Sequence, residues 1–156
     1  MIVECFLDTN ILLYAASKNP VHRSKKKRAV ELIEKERFGL SVQVLQEFYV
    51  NATRKADFGM KPEIAIEWIE NLEEFPCLGI EPSLVKTAAA ASVRYGLSYW
   101  DGAIVAAAEA MGAPILYTED LNHGQAYGTV RAVNPFLDPP PRPGFHDNGQ
   151  TALAKD

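Results

Sequence analysis

Residues 2–16 read Ile2-Val3-Glu4-Cys5-Phe6-Leu7-Asp8-Thr9-Asn10-Ile11-Leu12-Leu13-Tyr14-Ala15-Ala16. The apolar run Ile2 to Leu7 stops at the polar triplet Asp8-Thr9-Asn10, and a second apolar stretch, Ile11 to Ala16, follows at once. This reads as a short strand feeding a helix. The same beat recurs along the chain. Asn19-Pro20 caps a helical stretch carrying Val30, Leu32 and Ile33; Phe38 to Ser41 is a second strand; Val42 to Arg54 sets Val44, Leu45, Phe48 and Ala52 at helical spacing. Pro62 opens a helix with Ile64, Ile66, Trp68, Ile69 and Leu72; Cys77 to Ile80 is a short strand; Pro82 opens a helix that reaches Tyr95 before Gly96. Ser98 starts another helix, through Met111 to Gly112, and Pro114 to Thr118 and Val130 to Val133 are strands. The polar segment between those two, with Gly124 and Gly128, suits loops or a short helix. Short strands joined by helices predict an α/β fold of three layers, a central, mainly parallel sheet flanked by helices on both faces, because parallel strands need crossover connections.

The chain has 156 residues, 47% of them apolar, enough to bury about two-thirds of its unfolded surface around one core. One domain over 1–137 is expected. From Asp138 the composition changes to Pro139-Pro140-Pro141-Arg142-Pro143-Gly144 and then to polar residues, so 138–156 is expected to be a flexible Pro-rich tail. The longest apolar runs fall far short of the roughly 20 residues that span a bilayer. The N-terminus shows neither the basic region nor the apolar stretch of a signal peptide, and a cytoplasmic protein without membrane association is expected. Two cysteines, Cys5 and Cys77, lie far apart in apolar stretches and show no metal-binding spacing. A net charge of −4 does not favour broad phosphate-driven binding of nucleic acid, so such a ligand must meet local positive charge.

Four carboxylates fall at telling places. Asp8 follows the first strand and Asp120 lies just past Pro114 to Thr118, so both belong to the carboxyl edge of the predicted sheet, where ligands bind in open parallel sheets. Each has a plain structural explanation as well: a helix N-cap for Asp8, a turn residue for Asp120. Asp101 sits in a helix that is apolar on nearly all sides, with Ile104, Val105 and Ala108 beyond it, so its charge should be at least partly buried and in need of a partner. Ser98-Tyr99-Trp100-Asp101 also fits a capping box. Glu47 flanks the Val44, Phe48, Ala52 stripe, where a lone glutamate is ordinarily solvated. Together the four would converge on one edge and repel one another unless a cation neutralised them. Oxygen ligands without His or Cys suit Mg²⁺ or Mn²⁺, and such a site suits phosphoryl chemistry.

At these residues the sequence resembles the PIN-domain ribonucleases, most closely the VapC-type toxins of toxin-antitoxin pairs. The resemblance spans about residues 2–137. It rests on Phe6-Leu7-Asp8-Thr9-Asn10-Ile11-Leu12, on Ser41 to Glu47, on Ser98-Tyr99-Trp100-Asp101-Gly102-Ala103-Ile104-Val105-Ala106-Ala107-Ala108 and on Leu116-Tyr117-Thr118-Glu119-Asp120-Leu121-Asn122-His123-Gly124. It implies that Asp8, Glu47, Asp101 and Asp120 are catalytic, metal-binding acids, with Asn10 and Thr118 as polar support. It also implies hydrolysis of RNA to 5'-phosphate products, a homodimer, and inhibition by an antitoxin whose tail covers the acidic pocket. Glu119 and Asn122 flank the fourth acid, and loop geometry decides which of the three points inward.

Other features read more plainly. His22 to Arg28 is a basic run that could contact phosphates, but a solvated helix face explains it as well. Arg54-Lys55 suits the C-terminal end of a helix dipole. His123 is close enough to the pocket to be considered as a general base, while Phe48, Trp68 and Trp100 read as core. Two other functions are weighed. A haloacid-dehalogenase-like phosphohydrolase needs a second Asp two residues after the first, where this chain has Asn10. A silent RNA- or protein-binding module has no reason to keep four mutually repulsive acids.

Overall fold

A computed structural model describes residues 3–137. The sequence boundary at 138 and the tail beyond it lie outside the described residues. The chain alternates as expected: β1 (Cys5–Leu7), α1 (Thr9–Ala16), α2 (Arg23–Lys35), β2 (Phe38–Ser41), α3 (Val42–Arg54), α4 (Pro62–Leu72), β3 (Cys77–Leu78), α5 (Pro82–Tyr95), α6 (Tyr99–Ala110), β4 (Ile115–Tyr117), β5 (Ala126–Tyr127) and β6 (Val130–Val133). A 3-10 turn at Pro20–His22, capped by the Asn19 side chain on the Val21 N–H, leads into α2.

The six strands form one sheet in the order β3-β2-β1-β4-β6-β5, parallel throughout except for the antiparallel β5–β6 pair. Here the structure corrects the reading of the Gly124 to Gly128 segment. Tyr127 pairs with Val130 across a two-residue loop opened by Gly128 at φ 64°, a hairpin of two strand residues that is too short to show a period of two.

The chain's progress across the sheet reverses after β3, and again in the short β5–β6 hairpin. From β1 the chain steps outward through β2 to β3, with α1 to α4 in the crossovers, then returns across β1 to β4 by way of α5 and α6. Right-handed crossovers put helices whose strands advance in opposite directions on opposite faces. Accordingly α1 packs on α2 and α3, α3 packs on α4, and α5 packs on α6. The layers close around Phe6, Leu7, Ile11, Leu12, Phe38, Leu40, Val44, Phe48, Leu116 and Tyr117, all fully buried. All three residues of β1 are buried, as expected of a strand covered on both faces.

In α6, residues Gly102 to Ala108 are all buried, so the helix is central rather than amphipathic. Gly102 allows its closest approach: a Cβ there would stand 2.8 Å from the Ala88 carbonyl oxygen and 2.8 Å from the Ser92 nitrogen of α5. Trp100, read from the sequence as core, is 63% exposed in the first turn of α6, which is buried only from Gly102 to Ala108. Phe48 is buried and Trp68 packs against the core, as expected. Cys77, in a stretch that reads as apolar, is exposed on an edge strand, while Cys5 is buried and its thiol is pushed up to about 12 by that burial. Among the described residues no helix is long and apolar enough to cross a membrane.

Candidate active site

Between β1 and β4 the strand order reverses, and the chain leaves both strands at their carboxyl ends into Asp8 and Thr118. Such a switch point opens a crevice because the two crossovers depart to opposite faces. Here the crevice is a cleft of about 360 Å³ whose walls include Asp8, Asn10, Glu47, Asp101 and Asp120. The four acids read from the sequence therefore meet, each delivered by a different element.

Asp8 is the deepest. It is the N-cap of α1, accepting the Thr9 N–H at 2.7 Å through Oδ1, while Oδ2 accepts the Thr118 hydroxyl at 2.7 Å. Its capping role and its place in the cleft are compatible because a carboxylate has more acceptor sites than these two bonds use. Its pKa is pushed up to about 7, chiefly by burial; the hydrogen bonds from Thr118 and Thr9 oppose the rise, and the charges of Asp120 and Glu47 add to it. Thr118 is itself buried and accepts the Asp120 N–H at 3.1 Å, so one hydroxyl ties the first acid to the loop that bears the last.

Glu47 enters from the second turn of α3, a helix capped by Ser41 on the Val44 N–H. It is neither solvated nor alone: Thr9 Oγ1 donates to Oε1 at 2.6 Å and the buried Gln43 donates from Nε2 to Oε2 at 3.0 Å. Asp101 stands in the first turn of α6. Ser98 Oγ accepts its N–H at 3.1 Å, which is the first half of the capping box. The second half is not made, and the Asp101 carboxylate has no hydrogen-bond partner among the described residues. It is left for the cleft.

The loop after β4 engages its three polar neighbours differently. Both oxygens of Glu119 are taken, by Tyr14 Oη at 2.6 Å and Lys25 Nζ at 2.7 Å, and Asn122 donates to Gln125. Asp120 receives the Asn10 amide on Oδ2 at 3.1 Å. Its pKa is raised by partial burial and by the negative charges of Glu119, Asp101 and Glu47, and lowered by Lys55. Lys55, the C-cap of α3, lines the same cleft, as do Thr9, Asn51 and Trp100. From the sequence Lys55 reads as suiting the helix dipole; its place about four turns beyond Ser41, at the end of the helix that carries Glu47, was the available signal. His123 does not line the cleft; its Nδ1 accepts the Asn134 N–H.

Could these residues hold a cation? Among the described residues no three acid, His or Cys side chains are gathered closely enough to grip an ion as they stand. Yet the donor set is all oxygen, which suits Mg²⁺ or Mn²⁺, and one atom points the same way: Asn10 Oδ1 is buried with no hydrogen-bond partner, while its Nδ2 holds Asp120. An unmatched buried carbonyl oxygen beside four acids is costly without a positive ligand. The residues fit a hard divalent ion.

A mostly parallel α/β sheet with an acid-lined cleft at its switch point defines the class of this protein. The PIN domain family model matches residues 5–128, and the chain belongs to the PIN domain family. No curated protein sequence matches it. Among solved structures it is similar to Mycobacterium tuberculosis VapC20, described as a Sarcin-Ricin loop cleaving toxin, at 19% identity over 74% of this chain and 89% of that one, TM-score 0.61. It is also similar to a toxin-antitoxin complex from Klebsiella pneumoniae (20% identity, 81% and 94% covered, TM-score 0.59) and to DNA-bound VapBC from Salmonella typhimurium (18%, 84% and 97%, TM-score 0.58). At these identities the likeness is one of fold.

Proposed function

We propose that the chain is a metal-dependent endoribonuclease that hydrolyses RNA phosphodiesters with Mg²⁺ or Mn²⁺ held by Asp8, Glu47, Asp101 and Asp120. The observation that carries this reading is the cleft itself: of the six acids that line it, Asp8, Glu47, Asp101 and Asp120 come from four separate parts of the fold and face one space, beside the unmatched Asn10 Oδ1. When bound, the ion activates water and offsets charge on the phosphate oxygens. The protein's own part is placement. Thr9 and Thr118 lock Asp8, Thr9 and Gln43 lock Glu47, and Asn10 orients Asp120, so the acids are held before substrate arrives. Lys55 supplies positive charge at the cleft wall, where an approaching phosphate would otherwise meet only acids. Exposed Trp100 offers a ring at the same wall for an unpaired base.

The nuclease domain is residues 1–137, with 138–156 appended to it. The likeness of the fold to VapC toxins supports a place as the cytoplasmic toxin of a toxin-antitoxin pair, acting as a homodimer and silenced by a cognate antitoxin over the cleft. The test is cleavage of a pool of structured and single-stranded RNA by the purified chain with Mn²⁺, Mg²⁺ or EDTA, beside Asp8→Asn and Asp101→Asn. Metal-dependent cleavage that falls roughly 100-fold or more in both variants supports the reading, since each acid contributes to transition-state charge worth several kcal/mol. Equal cleavage by wild type and variants would refute it. Binding of RNA without cleavage under any condition would leave a silent PIN module in its place.

A further inference from the structure

The acids at 119 and 120 are adjacent in sequence and both line the cleft, but only Asp120 keeps an oxygen without a hydrogen bond. The structure shows what makes the choice. Asn10 and Tyr14 lie one turn apart on α1, at i and i+4, so their polar tips sit on the same helix face. Asn10 Nδ2 reaches Asp120 Oδ2 at 3.1 Å, and Tyr14 Oη reaches Glu119 Oε2 at 2.6 Å. Lys25, from α2, completes the hold with Nζ on Glu119 Oε1 at 2.7 Å. The lysine itself rests on rings, its Nζ 4.8 Å from the Tyr14 centroid and 5.5 Å from that of Phe136, which meets Tyr14 edge to face at 5.3 Å. Glu119 thus accepts on both oxygens from donors on two helices, and its side chain is only 21% exposed. Asp120 keeps Oδ1 open among the described residues.

We propose that Lys25 and Tyr14 are positioning residues: by holding Glu119 against α1 and α2, they fix the loop after β4 so that Asp120 presents its carboxylate to the ion. This rests on the metal-nuclease reading. Without the clamp, the Glu119 carboxylate, which already lines the cleft, competes with Asp120 for the ion, and the placement of the fourth acid is lost. Lys25 comes from the basic run of α2, so at least one charge of that run serves the site rather than solvation.

The experiment is Mn²⁺ titration of the full chain by calorimetry, which needs neither RNA nor turnover. The set is wild type, Asp8→Asn, Asp120→Asn, Tyr14→Phe, Lys25→Met, Lys25→Arg, Glu119→Ala and the double variant Tyr14→Phe with Glu119→Ala. Tyr14→Phe keeps the ring and removes only the hydroxyl, so packing is retained. We expect Tyr14→Phe and Lys25→Met to bind Mn²⁺ about 10-fold or more weakly, the usual effect of losing a partner that orients a metal ligand. Lys25→Arg should restore most of the affinity, and Tyr14→Phe should add nothing once Glu119 is alanine. A merely structural tyrosine would cost the same in either background. Wild-type affinity in Tyr14→Phe and Lys25→Met, beside weakened Asp120→Asn, would overturn the positioning role. Tighter binding in Tyr14→Phe would also overturn it, by making Glu119 a ligand that the clamp restrains. Unchanged affinity in both Asp8→Asn and Asp120→Asn would instead remove the metal reading, and the clamp's role with it.

Discussion

Asp8 is the acid on which burial weighs most, and replacing it with asparagine should stabilise the metal-free protein. Its carboxyl is raised from 3.8 to about 7 in the fold, chiefly by burial. The native state therefore keeps this proton up to about pH 7, whereas the unfolded chain releases it above 3.8. Between those values the native state binds more protons, so the Asp8 contribution falls as pH rises through that window and is fully unfavourable above it. Three pH units correspond to about 4 kcal/mol, and relaxation with water entry lowers this to roughly 2–4 kcal/mol. Asparagine is isosteric, its Oδ1 can still accept the Thr9 N–H, and it carries no charge to desolvate. Urea unfolding followed by circular dichroism, in EDTA, should find Asp8→Asn more stable than wild type by roughly 2–4 kcal/mol at pH 8, with the gap closing toward pH 4. Saturating Mn²⁺ should narrow or reverse the gap, because a ligand at 100 times its Kd stabilises the form that binds it by about 2.7 kcal/mol. A wild-type advantage at pH 8 in EDTA, or a difference that does not vary with pH, would refute the account of Asp8 as a buried acid awaiting a cation.

Three further outcomes follow from the packing. Gly102→Ala should lower stability by about 1–3 kcal/mol in thermal unfolding, since its Cβ would press on backbone atoms of α5 that cannot swing aside. Tyr117→Phe should be neutral or stabilising by up to about 1 kcal/mol, because the Tyr117 hydroxyl is buried without a hydrogen-bond partner and its loss leaves no group unsatisfied; a loss above ~1 kcal/mol in urea would show that the hydroxyl has a partner. Trp100→Ala should leave stability within about 0.5 kcal/mol while weakening single-stranded RNA binding about 5- to 100-fold in a fluorescence titration, as expected for an exposed ring that stacks a base. A large loss of stability would restore Trp100 to the core.

Local pattern carried most of the fold. The bounds of β2, α3 and α5 coincide with the sequence reading, because Ser41 caps a helix immediately after a strand, and Pro82 and Gly96 mark the two ends of α5. Gly96 adopts φ 67°, the left-handed turn that lets a helix stop. What failed had a non-local cause. The β5–β6 hairpin has two residues a side, and its pairing rather than its periodicity makes it a strand. Trp100 has the spacing of a core residue, but it stands in the first turn of α6, ahead of the buried stretch Gly102 to Ala108, and is exposed.

By itself the sequence determined which carboxylates were candidates, since Asp8, Glu47, Asp101 and Asp120 each stand at or shortly after the point where a readable strand or helix reaches one edge of the predicted sheet. Periodicity is a property of a dozen adjacent residues and needs no other part of the chain. Only the tertiary structure decided that the four share one cleft, because that follows from β1 pairing with β4 across 110 residues and from the reversal of strand order at that pair. Only it shows that both oxygens of Glu119 are engaged while Asp120 keeps one open, since the donors that claim Glu119 come from α1 and α2, about 100 residues away in sequence, and no local rule carries their positions.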